Sequence, residues 1–371
     1  MKKNYQKKLI IAALTIVVCV IAQFPQSCKK DDLTVLNSPM PEPVLPSTAY
    51  DYMDHQNDLA TLGRVLFYDK KLSLNDQISC GSCHQQKFAF ADNKQFSQGL
   101  YNGYTGRNSI AIISDAHRSN ANGVNRFWDG RAKSTDTAVF LPVMNSVEMH
   151  IFNLDILPQK LATLDYYPQL FLNAFGTTEI TIPELQQALT CFINDFDCYH
   201  SKYDNNQLSA DEYAGFQIFE GKGRCYSCHN GQDFNGYQPI FEDIGLAVNY
   251  TDIGRGRITG DPNDNGRFLV PTLRNLAYSA PYMSDGRYNT LREVIDHYDH
   301  GIQNSPNLSE VLRDIPGDSI FANNDQYYSG YPVLQMHLTE LEKTQLEKFL
   351  LTLSDPNFIT DPKFSDPFMA H

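Results

Sequence analysis

A Cys-x-x-Cys-His pentad occurs twice in this chain, as Cys80-Gly-Ser-Cys83-His84 and as Cys225-Tyr-Ser-Cys228-His229. Few chemistries need two thiols one helical turn apart with an imidazole immediately behind them. A structural zinc site would need two such knuckles brought together to supply four ligands. A dithiol redox pair would leave the histidine without a role. Covalent attachment of a c-type haem uses all three side chains. The sulfurs form thioethers to the porphyrin edge, and the imidazole is delivered to one face of the iron. Two pentads at matching places in a helical chain favour haem, with zinc bridging the two copies as the lesser alternative.

The segments leading into the pentads also match. Residues 58–73 place Leu59, Leu62, Leu66 and Phe67 on one helical face. Residues 209–229 open with Ser209 and Glu212 at capping-box spacing and continue with Tyr213, Phe216 and Phe219. Each segment carries a Gly-x-x-aliphatic-Phe unit, Gly63–Phe67 and Gly215–Phe219. A further amphipathic helix is expected near the C-terminus, with Leu338, Leu341, Leu346 and Leu350 on its apolar side. No run of alternating strands interrupts this texture. The expected fold class is therefore all-α, a duplicated domain divided in the polar, turn-prone stretch near 200–208. Cys191 and Cys198 lie seven residues apart in an expected helix, ~10 Å of rise, too far for a disulfide unless the helix breaks. Buried free thiols are expected there.

The first residues hold four lysines, an apolar run from Leu9 to Ala22, and then Ser27-Cys28. That reads as an export signal over 1–27, too short to span a bilayer comfortably. Cys28 resembles the lipidated cysteine of bacterial lipoproteins, and Lys29-Lys30-Asp31-Asp32 an acidic sorting tag. The alternative is ordinary cleavage near Ser27 with a free Cys28. Residues 28–50, rich in Pro, Ser and Asp, read as a lipidated N-terminus and extended tether. The expected location is the periplasm or cell surface, with membrane association through that lipid anchor. Lys and Arg number 30 against 43 Asp and Glu, a formal charge of −13, and the leader holds four of the lysines and no acid. Such a surface repels nucleic acid and attracts basic partners, although solubility alone would explain it.

Three longer stretches, "GRNSIAII", "FWDGRAKSTDTAVFLPVMNSVEM" and "RFLVPTLRNLAYSAPYMSDGRYNTLREVIDHYDHG", resemble the bacterial di-haem cytochrome c peroxidases and the related MauG enzymes. The resemblance runs over residues 55–355. It implies two cytochrome c-like domains, 51–205 and 206–355, each with one covalent haem, followed by a C-terminal tail, 356–371. By resemblance, His84 is the proximal ligand of the peroxidatic haem and His229 that of the electron-transfer haem. Cys80, Cys83, Cys225 and Cys228 are then the thioether anchors. Glu148 matches the distal acid–base carboxylate. A carboxylate in a mostly apolar pocket, its pKa raised by desolvation, can take and return the proton that O–O cleavage must move. Trp128, the single tryptophan, matches the ring between the two haems, and a core role is compatible with that. Asn108, Ser279 and Pro281 fall where the family places an interdomain calcium, a hard cation suited to oxygen ligands. Tyr298 stands at the position of the second haem's sixth ligand. Met283 is its rival, and His297 and His300 are outside candidates.

The sequence also departs from the family pattern. Ala138 replaces the distal glutamine. No histidine lies between Gln85 and Asn108, so the first haem is expected to be open or water-bound at rest. Ser284 replaces a usual histidine. The insertion 116–125 is longer than the pattern, and His117 and His150 are read as surface residues. The implied activity is reduction of hydrogen peroxide with electrons from a small cytochrome c or cupredoxin. The alternatives are MauG-like oxidation of a protein or small organic substrate, and a non-catalytic di-haem electron carrier. Glu148 opposes the last, since a carrier needs no acid–base group. A homodimer is compatible with the sequence.

Overall fold

The structure is a computed structural model and describes residues 42–45, 54–113, 125–315 and 330–369. The leader, Cys28, His117 and most of the 116–125 insertion lie outside the described residues. No helix among the described residues is long and apolar enough to cross a membrane.

The architecture rests on α1 (Asp54–Tyr68), α2 (Tyr167–Phe175), α3 (Ile182–Asn194), α4 (Ala210–Glu220), α5 (Leu291–Asp296) and α6 (Glu340–Leu351). Shorter helical turns join them. The described sheet is a two-residue antiparallel pair, β1 (Phe241–Glu242) with β2 (Phe268–Leu269), in which Phe241 faces Leu269. Four of the helices start on a capping box: Thr181 with Glu184, Ser209 with Glu212, Thr290 with Glu293, and Thr339 with Glu342. In each, the glutamate reaches back to the cap and satisfies an N–H that the helix cannot. The box read in the sequence at Ser209 closes with Ser209 N donating to Glu212 Oε2 at 2.6 Å.

The two Gly-x-x-aliphatic-Phe units mark two equivalent helix crossings. α1 packs on α3, and α4 packs on α6. A Cβ at Gly63 would sit 2.0 Å from the Ala188 carbonyl oxygen, and one at Gly215 2.0 Å from that of Gln345. Only glycine lets the backbones approach this closely. One turn on, Phe67 and Phe219 are fully buried. Each pair nucleates its own core, one around Leu62, Phe67 and Phe192, the other around Phe219, Phe349 and Leu346. Leu338, just before α6, and Leu346 and Leu350 within it face that core as expected, but Leu341 is 64% exposed and belongs to the outer face.

Residues after α6 return to the first half. Phe358 and Phe364 are buried in its core, beside Phe90 and Phe196. Arg64 Nε donates to the Ser365 carbonyl at 2.7 Å, Tyr68 Oη to that of Phe364 at 2.7 Å, and Gln86 Nε2 to that of Asp361 at 2.8 Å. The described part of the segment read from sequence as a tail thus packs into the first half, and the described residues belong to one compact unit. α3 ends at Asn194, so Cys198 lies beyond the helix. Both thiols are nevertheless free, with Cys198 buried and Cys191 half-buried.

Candidate cofactor sites

The two pentads fold almost identically. Cys80–Cys83 forms one helical turn and Cys225–Ser227 a tighter one, and in each the histidine N–H closes the turn onto the carbonyl of the first cysteine at 2.9 Å. Each imidazole then donates Nδ1–H to a backbone carbonyl a few residues on, His84 to Phe90 at 2.8 Å and His229 to Phe234 at 2.8 Å. Phe90 and Phe234 both hold left-handed backbones, with φ of 57° and 52°. With Nδ1 committed, Nε2 is the nitrogen left with a lone pair to give a metal. Burial lowers both histidines' pKa, that of His229 to about 4, so each ring is neutral at physiological pH, as a ligand must be.

The competing chemistries fail on this geometry. Burial pushes Cys80, Cys225 and Cys228 up to about 12 and Cys83 to about 11, so none is a poised thiolate. The pentads do not converge. Among the described residues, the group of His, Cys, Asp and Glu close enough to share a metal is Asp296, Asp299 and His300. The Lys343 ammonium already sits in that group, 2.7 Å from Asp296 and 2.9 Å from Asp299. A zinc bridge between the two copies is excluded.

An apolar cavity opens over the second pentad. Cys225, Cys228, His229, Trp128, Met283 and Tyr298 all line it. Tyr298 is carried on a π-helical turn, His297–Gly301, that continues α5. Its hydroxyl makes no hydrogen bond to another described residue, and burial raises its pKa. Met283 faces the same space from a strained loop, with φ of 75°. The histidines nearby are committed elsewhere. His297 bonds the Ile244 carbonyl through Nε2 at 2.9 Å and meets the Tyr288 hydroxyl at Nδ1 at 3.2 Å, while His300 pairs with Asp299.

At the first pentad, Glu148 is half-buried and desolvation raises its pKa, with Arg131 opposing. Its charge helps to raise the pKa of both Cys80 and Cys83, so the carboxyl lies within electrostatic range of this pentad. Asn145 orients it. Its Nδ2 donates to Glu148 Oε1 at 2.9 Å, and its Oδ1 accepts from Val147 N at 2.8 Å. Asn145 was not singled out in the sequence, although its place three residues before Glu148 is the spacing of a local amide–carboxylate contact. Position 138 ends a short helix, Thr135–Ala138, and offers only a methyl group. His150 lies on an exposed aromatic cluster with Tyr101 and Phe152.

Trp128 is buried on the wall of the second cavity, and its Nε1–H donates to the Asn108 carbonyl at 2.9 Å. Ser109 Oγ donates to the Cys83 carbonyl at 2.9 Å and lies 3.3 Å from His84 Nδ1. Arg107 clamps the same junction, bonding Asp129 and Asp252 at 2.6 Å each. Asn108, Ser279 and Pro281 line one cavity, and Asn108 N donates to Ser284 on the loop that carries the other two, at 2.8 Å. The Asn108 amide nitrogen is spent on the Lys94 and Gln95 carbonyls. The oxygen is left as its free donor to a cation.

The model of the family described as di-haem cytochrome c peroxidase matches residues 57–212. A cytochrome c551 peroxidase of Nitrosomonas europaea is 32% identical over 271 residues, 69% of this chain and 76% of that protein. The chain belongs to the di-haem cytochrome c peroxidase and MauG family. A methylamine utilization protein MauG of Methylorubrum extorquens is 29% identical over 313 residues, 81% of this chain and 80% of that one. A solved MauG-like protein associated with microbial copper homeostasis has a TM-score of 0.71 at 28% identity, covering 90% of this chain and 99% of its own. Membership implies two c-type haems. The residues fit them, since both imidazoles are neutral with Nδ1 satisfied, and the second pentad faces an apolar cavity that Tyr298 and Met283 also line.

Proposed function

We propose that this protein is a di-haem peroxidase that reduces hydrogen peroxide to water. Its electrons come from a small redox protein, a cytochrome c or a cupredoxin, and run from the C-terminal to the N-terminal haem. The observation that carries this reading is Glu148, within electrostatic range of the first pentad's two thiols, desolvated and held by Asn145. Cys80, Cys83 and His84 would hold one haem, and Cys225, Cys228 and His229 the other. The haem supplies the metal that binds peroxide and the reducing equivalents.

The chain's own part is proton movement and insulation. Glu148, ionised, would take a proton from one oxygen of peroxide and return it to the other as the O–O bond breaks. The overall balance is one peroxide, two electrons and two protons to two waters. Asn145 supplies an amide beside Glu148 that Ala138 cannot. Trp128, on the wall of the cavity over the second pentad, is bonded to the Asn108–Ser109 segment, which also lines that cavity and bonds the first pentad. Tyr298 would be the sixth ligand of the second haem, its unbonded hydroxyl favouring it over Met283. Asn108, Ser279 and Pro281 would hold calcium, and the protein would work outside the cytoplasm on a lipid anchor at Cys28.

Tyrosine ligation would hold the second haem at low potential, which favours a second reading, MauG-like oxidation of a protein or small organic substrate. Rapid mixing of the oxidised protein with peroxide, followed by reduced cytochrome c, tests both. A prompt change in the Soret band reversed by the donor is the expected result. A prompt change indifferent to the donor moves the conclusion to the second reading. No change in any redox state refutes both.

A further inference from the structure

Arg274 is 1% exposed, yet every face of its guanidinium is engaged. Nη1 and Nη2 fork onto the two oxygens of Asp204, each at 3.0 Å, and Nε reaches Asp233 Oδ1 at 3.2 Å. The carbonyls of Gln232, at 2.8 Å, and Cys198, at 3.4 Å, take further N–H groups. The Tyr199 ring covers the guanidinium at 4.3 Å, and its hydroxyl donates to the same Asp233 oxygen at 2.7 Å. A charge so fully desolvated persists only with paired, bidentate partners. Three segments are knotted together here: the linker 198–204 between the halves, the loop 232–234, and the stretch 272–274.

The knot acts on the proximal imidazole at one remove. Residue 233 is held by Arg274 and Tyr199 at its side chain, and by Thr272 Oγ1 at its carbonyl, at 2.7 Å. The next carbonyl, Phe234, accepts from His229 Nδ1. Pro271, just before Thr272, presents its own carbonyl to the same imidazole. His84 is supported by a different segment and without a buried guanidinium: Ile112 N donates to its Phe90 acceptor at 3.3 Å, Ser109 Oγ lies 3.3 Å from Nδ1, and the nearby Asp92 bonds Ser97 at 2.7 Å and Gln85 at 3.3 Å.

We propose that Arg274 is a positioning residue for His229, fixing the Phe234 carbonyl and so the orientation and donor strength of that imidazole, and tying both to the linker between the halves. The proposal rests on His229 being the proximal ligand of the second haem. An Nδ1–H bond to a carbonyl raises the basicity of a ligating imidazole, and slackening it favours the reduced metal.

The test is spectroelectrochemical titration of both haems in the holoprotein, wild type against Arg274→Lys and Tyr199→Phe. The first variant keeps the charge and loses the fork. The second removes one hydrogen bond and keeps the ring. The expected result is an upward shift in the potential of the second haem, larger for Arg274→Lys, with the first haem unmoved. Unchanged potentials in variants that carry both haems and unfold cooperatively would overturn the proposal, as would an equal shift of both haems. If Arg274→Lys does not fold, Tyr199→Phe decides alone, and an unmoved second potential overturns the proposal. Failure of the underlying reading looks different: mass spectrometry of the wild type would find no haem on Cys225 and Cys228.

Discussion

The indole N–H of Trp128 donates to the Asn108 carbonyl at 2.9 Å, and the neighbouring Ser109 hydroxyl donates to the Cys83 carbonyl at 2.9 Å. Two hydrogen bonds and the peptide bond between Asn108 and Ser109 therefore connect a ring on the wall of the second cavity with the first pentad. Its burial as a core tryptophan is compatible with the proposed place between the two haems.

Replacing Trp128 by phenylalanine keeps an aromatic ring and removes the donor. The Asn108 carbonyl is then left unsatisfied, at a cost of about 1–3 kcal/mol, which a urea midpoint will register. Donor-driven turnover should slow by about tenfold, about 1.4 kcal/mol on the barrier. The reaction of the first site with peroxide, followed alone by stopped flow, should persist.

Glu148→Gln should slow the peroxide reaction by about 10²–10⁴, the range for loss of a general acid–base group. Burial raises the Glu148 pKa, and only the ionised form accepts a proton. The wild-type rate should therefore rise with pH through a midpoint above the ordinary glutamate range and fall on the acid side. The variant's residual rate should show no such limb. A wild-type profile flat from pH 4 to 8, values that bracket the ordinary glutamate pKa of about 4.3, would remove Glu148 from the mechanism.

Tyr298 and Met283 both line the cavity over the second pentad; Tyr298→Phe deletes the hydroxyl of the first, and Met283→Leu the sulfur of its rival. The visible and magnetic circular dichroism spectra of the second haem should change in the first variant and not in the second. The reverse pattern assigns the ligand to Met283.

Gly63→Ala and Gly215→Ala each force a methyl group into a carbonyl oxygen 2.0 Å away. Each should destabilise the protein by about 1–3 kcal/mol, the usual penalty of overpacking. Thermal unfolding followed by near-ultraviolet circular dichroism checks this, and equal losses at the two sites would agree with their equivalent packing.

What the sequence revealed depended on how far apart the cooperating residues lie. The pentads were legible because their chemistry fixes cysteine and histidine within five consecutive residues. The capping box at Ser209 was legible for the same reason. The paired glycines were visible as a repeat, but their purpose needs Ala188 and Gln345, which nothing local announces. Arg274 meets Asp204 across 70 residues and Asp233 across 41, so no spacing rule could have joined them. The carbonyls of Phe90 and Phe234 carry no side-chain signature at all, because they are backbone groups aimed by left-handed residues.

Phe358 and Phe364 sit in the core that begins with Leu59. A chain made from its N-terminus cannot close that core until the whole second half has been synthesised. Cys80 and Cys83 belong to the half whose core needs Phe364, while Cys225 and Cys228 belong to a half whose own core needs nothing later than Leu353. The core that starts nearest the N-terminus is the one completed nearest the C-terminus.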